Sequence, residues 1–265
     1  MKTTEETRNS RLPQLTYRVW RVWRRDFDVF MKTYKVSFFP PLLEPIFYLA
    51  AFGLGLGQFV SGFPGSFIKF IAPALVSITI MYSSFFECTY GSFVRMYYQK
   101  TFDAIISTPI SIEEVIAGEM LWGATRSLIG GSIVLAVVAA FGLISSPLAI
   151  LVPLVAFATG LTFSAIGMCF TSLARNIDFF NYPQFLFITP MFLLSGTFFP
   201  ITVLPSFMQV LAYAALPLTH TVTLTRVLML GSFDTTVILS LVWIAAVTPL
   251  FFVLAVKLMK RKLIK

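Results

Sequence analysis

Long apolar runs separated by short polar loops most constrain what this chain can fold into. A helix needs about 20 apolar residues to cross a bilayer, and the 265-residue sequence offers six such runs. Hydrophobic residues make up 57% of the chain and charged residues only 12%, whereas soluble domains carry about 25% charged residues. We therefore predict an all-α membrane protein with six transmembrane helices, at about 38–60, 68–92, 118–143, 148–172, 180–200 and 234–257.

Basic residues are concentrated at the two ends of the chain. The first 35 residues hold nine Lys and Arg, and the segment 257–265 holds five more. Lys and Arg are enriched on the cytoplasmic side of membrane proteins, and placing both termini inside leaves only Lys69 and Arg226 outside. The pattern predicts that both termini are cytoplasmic. It also accounts for the net charge of +8 without a nucleic-acid partner.

Residues 1–36 are predicted to form a cytoplasmic arm ending in a helix at the membrane surface, and residues 37–265 to form one transmembrane domain. Within 15–35, apolar and charged side chains separate onto two faces with a period of about 3.6 residues. The apolar face holds Val19, Trp23, Phe27, Phe30 and Tyr34, and the polar face holds Arg18, Arg21, Arg25, Asp28, Lys32 and Lys35. Basic amphipathic helices of this kind are typical of the headgroup region.

The segment 201–231 is apolar but is interrupted by Pro205, Pro217, His220 and Arg226. A seventh span there would place the basic C-terminal end outside, against the charge pattern. We therefore predict an outer re-entrant segment made of short helices. Backbone of this kind is tolerated at membrane depth where protein covers it.

The cytoplasmic loop between the second and third predicted spans has helix signals of its own. Residues 97–107 are predicted to form a short helix ended by Thr108 and Pro109, because the residue before Pro disfavours the α conformation. Ser111 and Glu114 have the spacing of a capping box that starts the next helix. A short helix held between two long ones is suited to receiving force from a soluble partner; the alternative is an ordinary ordered loop.

Four stretches carry a more specific signal. They are EPIFYLAAFGLGLG at 44–57, the run from FFECTYG to TPIS at 85–111, TSLARNIDFFNYPQ at 171–184, and LLSGTFFPITVLPSFMQ through PLTH at 193–220. In these stretches the chain resembles the membrane subunits of ABC-2 type ATP-binding-cassette exporters, most of all the nodulation lipo-oligosaccharide export permeases. The resemblance covers essentially the whole chain and implies an ABC-2, type V exporter-like fold.

The resemblance implies a permease subunit that does no covalent chemistry. Two copies of the chain would pair as a homodimer in a bacterial inner membrane, among membrane lipid, and two copies of a separate ABC ATPase would hold ATP and Mg²⁺ below them. The sequence contains no G-x-x-x-x-G-K-[ST] phosphate loop, so no cofactor site is expected in this chain. The implied substrate is an amphipathic, lipid-linked or saccharide-type molecule that leaves the cytoplasm or the inner leaflet.

By the same resemblance, the helix at about 97–108 is the coupling helix that contacts the ATPase. The interfacial helix and the loop 172–181 would complete the docking face, and the segment 201–231 would act as an outer lid. The residues expected to couple to the ATPase are Tyr97, Tyr98, Lys100, Thr101, Phe102, Asp103, Thr108 and Pro109.

Charged and aromatic residues in the predicted spans are candidates for the transport path. The charged ones are Glu44, Glu87, Glu119 and Arg126. Charge at membrane depth usually marks function, although ion pairing with one another, or with Arg95 and Lys100, is the simpler interpretation. Glu87 lies deeper and is a candidate to line the path or to lock the dimer. The aromatic candidates, which core or lipid packing would equally explain, are Tyr82, Phe85, Phe86, Tyr90, Phe179, Phe180, Phe185 and Phe192.

Two other classes of protein fit the sequence less well. A stand-alone secondary transporter or channel is the main alternative, and it commonly has internal repeats and broken helices, but no repeat is visible. A membrane-embedded enzyme would need a cluster of acid and base groups or a metal site. One His and two distant cysteines, Cys88 and Cys169, cannot supply a tetrahedral metal site, so we expect neither a metal site nor a catalytic site.

Overall fold

The computed structural model describes residues 15–52, 67–231 and 235–263, and every regular element in these ranges is a helix. Predictions that concern residues 1–14, 53–66, 232–234 and 264–265, including the end of the first predicted span, lie outside the described residues. The helices are α1 (Val19–Ala50), α2 (Phe67–Tyr98), α3 (Thr101–Ile106), α4 (Ile112–Ala140), α5 (Pro147–Leu173), α6 (177–194), α7 (Ser206–Ala215), α8 (Pro217–Leu230) and α9 (Thr236–Leu263).

Several of these helices are long and apolar enough to cross a membrane. Helices α2, α4, α5 and α9 qualify individually, and the bent pair α7–α8 would add a fifth if it counted as one span. Hydrocarbon requires backbone groups to be satisfied internally, which continuous helices achieve. The chain is therefore a multi-pass α-helical membrane protein, as predicted.

The N-terminal helix differs from its predicted bounds. No break separates an interfacial helix from a first span near residue 36, because α1 runs unbroken from Val19 to Ala50. Its protein-facing side is narrower than the predicted apolar face and holds the buried residues Val19, Val22 and Asp26. This side packs on α4 at Gly118, where a Cβ atom would lie 2.5 Å from the Cβ of Val22. Only glycine permits so close an approach.

Helix α6 corrects the predicted span at 180–200. The segment is a succession of short pieces rather than one helix: Ile177–Phe180 is 3₁₀, Asn181–Pro183 is α, Gln184–Ile188 is π and Thr189–Leu194 is α. Pro183 and Pro190 explain the breaks, because proline has no N–H to donate and clashes with the preceding turn. The helix ends at Leu194, short of the predicted bound.

The predicted coupling helix is also shorter than expected. Helix α2 extends to Tyr98, beyond its predicted end at 92, and Lys100 then takes the left-handed conformation with φ of 55°. Helix α3 begins only at Thr101, so residues 97–100 belong to the end of α2 and a turn. The predicted capping box is confirmed, since Ser111 and Glu114 bond reciprocally at the start of α4.

The segment 201–231 contains the short helices that the sequence predicted. Helices α7 and α8 meet at an angle of 90°, with Leu216 between them in an extended conformation. Pro217 opens α8, where a missing N–H costs nothing. The bend excludes a straight seventh span over these residues.

Helix α4 lies at the centre of the bundle. It packs against α1, α2 and α5, while α9 covers the other side of α5. The core around α3 is formed by buried side chains of α2, α4, α5 and α9, and it includes Phe93, Phe102, Met168 and Met259. The position of α4 brings its polar residues against three other helices.

Candidate functional site

A cavity of about 640 Å³ opens between α1, α2, α4 and α6. Its lining is largely aromatic and aliphatic, with hydroxyl groups from Thr79 and Ser83. Apolar pockets with a few placed polar groups are the usual form of binding sites. We call it the aromatic cavity, after the rings that line it: Tyr48, Tyr82, Phe86, Phe192 and Phe198.

The eight aromatic path candidates divide between this cavity and the core. Tyr82, Phe86 and Phe192 line the aromatic cavity, and the rings of Tyr82 and Phe86 stack with centroids 5.2 Å apart. Phe85 and Phe180 are fully packed in the core and do not line the cavity. The other three do not line the cavity either: Tyr90 and Phe179 are half-buried among aromatic neighbours, and Phe185 is exposed.

A second cavity, of about 270 Å³, lies beside the first and has charged walls. We call it the ionic cavity. It is lined from α1, the end of α2, the start of α3, and α4. Its charged residues are Arg25, Asp26, Glu87, Arg95 and Arg126.

Glu119 is the centre of the charged cluster and is fully buried on α4. The guanidinium of Arg95 donates to its carboxylate at 2.6 Å, the guanidinium of Arg25 at 3.0 Å, and the Ser92 hydroxyl at 2.6 Å. A buried carboxylate is costly unless it is paired and hydrogen-bonded. Three donors from two other helices meet that requirement, so Glu119 ties α1 and α2 to α4.

Glu87 is held by the same arginine. The Arg95 guanidinium donates to Glu87 at 2.7 Å across the π-helical segment Glu87–Gly91. Gly91 leaves room for this pair, because a Cβ there would lie 2.9 Å from the Glu87 carboxylate oxygen. Local π-helix within an α-helix is frequent at functional sites.

The polar candidates Glu119, Glu87 and Arg126 thus come together, and the alternative of ion pairing is confirmed for them. Arg126 lies 3.5 Å from Glu87, and the acids also pair with Arg95 as considered. Lys100 pairs with none of these three residues; its ammonium lies over the Tyr97 ring at 5.4 Å. Glu44 falls within α1, but its side chain is outside the described residues.

Sequence reasoning missed two members of the cluster, Arg25 and Asp26. Arg25 was placed on the polar face of the interfacial helix, yet its guanidinium donates to both Asp26 and Glu119. Burial, followed by the charge of Glu119, raises the pKa of Asp26 to about 7. The spacing of residues in α1 could have revealed Asp26, because Val19, Val22 and Asp26 share one face of the helix and the acid therefore lies among packed residues.

The eight coupling candidates lie around α3 and divide by exposure. Phe102 is fully buried, whereas Tyr97, Tyr98, Lys100, Asp103, Thr108 and Pro109 are exposed and Thr101 is half-buried.

The N-terminal segment is bound to the loop around α3, since Arg18 donates to the Pro109 carbonyl and the Thr16 hydroxyl donates to Glu114. Thr101 also lines the ionic cavity, so α3 adjoins the charged cluster.

Comparison with known proteins agrees with this architecture. The sequence profile of the ABC-2 type transporter family matches residues 17–230. The chain belongs to that family. Its members are membrane subunits that work with an ABC ATPase, so the resemblance found in the sequence is confirmed.

Several curated relatives cover most of the chain. "Nodulation protein J" of Sinorhizobium fredii is 35% identical over 92% of this chain and 93% of its own length. "Nodulation protein J" of Rhizobium leguminosarum bv. trifolii is 38% identical over 79% of this chain and 80% of its own. "Inner membrane transport permease YadH" of Escherichia coli is 25% identical over 72% and 75%. The family match therefore includes both cavities and α3.

Proposed function

We propose that this chain is the permease subunit of an ATP-driven exporter that moves an amphipathic, lipid-linked or saccharide-type substrate out of the cytoplasm or inner leaflet. One observation carries the proposal: the segment 97–103, from the end of α2 into α3, exposes aromatic and polar side chains and buries Phe102 in the core. Interiors pack closely and transmit displacement. A push on α3 therefore reaches α2 and α4, which line the aromatic cavity.

The working unit in this proposal contains two copies of the chain and two of a separate ATPase, which holds ATP and Mg²⁺. The chain has six spans and cytoplasmic ends in a bacterial inner membrane. The ATPase docks on the start of α1, on α3 and on the loop 172–181, and the bent pair α7–α8 acts as an outer lid. Closure of the ATPases moves α3 and opens a path between the two permeases.

The aromatic cavity supports the proposed class of substrate. A volume of about 640 Å³ lined mainly by rings suits a molecule with a sizeable apolar part, and the charged wall suits a polar part. The relatives called "Nodulation protein J" favour a lipo-oligosaccharide within this class.

The test combines co-purification with a variant in α3. The tagged chain is extracted gently from its native host, and we expect a separate ABC ATPase to accompany it. Ala104→Pro removes the backbone donor to the Lys100 carbonyl, a bond of 3.1 Å, and a mid-helix proline costs about 3 kcal/mol or more. We expect it to abolish substrate-stimulated ATP hydrolysis, while the control Ala104→Ser at the same exposed site retains it.

Two outcomes would contradict the proposal. Full coupling in Ala104→Pro would show that α3 does not transmit the ATPase movement. A chain that purifies alone and still moves a solute across liposomes without ATP would be a stand-alone secondary transporter.

A further inference from the structure

Arg126 differs from the other arginines of the charged cluster. Arg95 donates to Glu119, Glu87 and Ser92, and Arg25 donates to Asp26 and Glu119. Arg126 makes no hydrogen bond to any described residue; its buried Nε has the Glu87 carboxylate as an ion-pair contact but no hydrogen-bond partner among these residues. Its contacts are the carboxylate of Glu87 at 3.5 Å and the ring of Phe30 at 4.9 Å. A guanidinium has five N–H donors, so Arg126 keeps hydrogen-bonding capacity that no described residue uses.

The unused donors lie between two cavities. Arg126 and Glu87 line both the aromatic cavity and the ionic cavity, and they are the charged residues common to the two. A molecule in the aromatic cavity therefore has one cation at its polar boundary. Because the neighbouring walls are rings and aliphatic groups, water screens that charge poorly, and a charge-assisted bond formed there is strong.

Glu87 does not hold Arg126 tightly. Its other carboxylate oxygen accepts from Arg95 at 2.7 Å, so Glu87 keeps a close cationic partner when Arg126 moves. The charge of the cluster also favours an incoming anion. Asp26, with its raised pKa and an unbonded Oδ2, carries less than a full negative charge near neutral pH. The three arginines are then not fully neutralised by the three acids.

We propose that Arg126 anchors the anionic headgroup, a phosphate or carboxylate, of an amphipathic substrate whose apolar part occupies the aromatic cavity. The inference rests on the proposed function and adds the charge of the substrate to it. Guanidinium binds such oxyanions with two parallel hydrogen bonds. Arg126 would exchange its loose contact with Glu87 for these two bonds.

Binding of two probes with the same tail tests the proposal. The permease–ATPase complex is placed in phosphatidylcholine nanodiscs and titrated with a 12-(dansylamino)dodecyl phosphate or with the corresponding neutral alcohol, with empty nanodiscs subtracted. We expect the phosphate probe to bind at least about tenfold more tightly, since one charge-assisted hydrogen bond is worth that much. Arg126→Gln should abolish the preference and Arg126→Lys should retain part of it. The control Lys257→Gln removes an exposed positive charge elsewhere and should keep the full preference.

Glu87→Gln distinguishes a ligand site from a purely structural role. If Arg126 serves the ligand, removing the competing carboxylate tightens binding of the phosphate probe. If Arg126 only supports the fold, the same change loosens the cluster and leaves the preference unchanged or weaker, which would overturn the proposal. Equal binding of both probes by the unmodified complex would also overturn it, while ATPase coupling through α3 would leave the exporter function standing.

Adding phosphatidylglycerol to the nanodiscs distinguishes two sources of the anion, a membrane lipid and a solute-like amphiphile. Displacement of the probe by this lipid, lost in Arg126→Gln, would assign the site to an anionic lipid headgroup. Retention of the probe would assign it to a solute-like amphiphile. Both results require Arg126 to recognise the negative charge.

Discussion

The buried cations of this protein are stabilised in two different ways. In the ionic cavity, arginines from α1, α2 and α4 face the carboxylates of Asp26, Glu87 and Glu119. In the bent pair α7–α8, Arg226 has neutral neighbours among the described residues: it donates to the Gly196 carbonyl at 2.9 Å and lies over the Phe70 ring at 4.1 Å. Among the described residues, the ring nitrogens of His220, also on α8, have the Tyr213 carbonyl and the Ser240 hydroxyl as hydrogen-bond partners.

The difference concerns how each region can move. In the charged cluster, three arginines and three acids lie within ion-pairing distance of one another. One ion pair can therefore separate while another acid still compensates the charge of the arginine. Arg226, by contrast, is held by one carbonyl and one ring, and no described acid offers it an alternative partner. We therefore infer that the ionic cavity can rearrange as α3 moves, whereas the contacts of Arg226 fix α8 to the end of α6 and to α2.

Glu119→Gln should have the largest effect on stability. The change keeps the shape of the side chain but leaves Arg95 and Arg25 without their shared, fully buried carboxylate. Breaking a buried ion pair by removing one partner costs about 3–5 kcal/mol. Thermal unfolding of the purified protein in nanodiscs measures this loss of stability. The exposed control Asp28→Asn should unfold at the same temperature as the unmodified protein. A small effect of Glu119→Gln would mean that Glu87 and Asp26 compensate both arginines.

Arg226→Met should cost much less, about 1 kcal/mol or below. The variant loses the bond to the Gly196 carbonyl but also removes the desolvation cost of a buried cation, and methionine fills a similar volume. Replacing a whole buried ion pair by apolar residues is often neutral for this reason, and at Arg226 the neutral Gly196 carbonyl, not an acid, loses its donor. The same unfolding assay measures the effect, and Arg226→Ala, which leaves a void where methionine fills the volume, is the comparison variant. A loss as large as that of Glu119→Gln would remove the distinction between the two regions.

Much of the helical architecture could be predicted because it depends on local sequence. Apolar length identified α2, α4, α5 and α9, and the capping box placed the start of α4. The errors lie where tertiary contacts or backbone strain override local preference. Nothing in a hydropathy pattern predicts the π-helical end of α2 or the left-handed Lys100, and two prolines divided what composition alone presented as one span.

The site was predicted less completely, since its members come from distant parts of the chain. Glu87, Glu119 and Arg126 could be identified because charge is rare in apolar runs. Arg25 and Asp26 were hidden in a basic helix where charge is ordinary, and only the packing of α1 on α4 reveals that they are part of the cluster. The division of the aromatic residues between cavity and core likewise depends on the rotation of each helix, which composition does not determine.

Asp26→Asn should have the smallest effect, visible mainly in its dependence on pH. Burial beside Glu119 raises the pKa of Asp26 from 3.8 to about 7, so the folded protein binds this proton more tightly than the unfolded chain does. Stability contributed by Asp26 is then present below about pH 4 and declines as the pH rises towards 7. Asparagine resembles the protonated acid, so we expect the unfolding midpoints of the two proteins to agree only at about pH 4 and below. The midpoint of the variant should become the higher one as the pH rises, by about 2–4 °C at pH 8, as about 1 kcal/mol would give. The opposite order at pH 8 would mean that the ion pair of Asp26 with Arg25 outweighs its burial, and the charge argument for an anion at Arg126 would lose its support from Asp26.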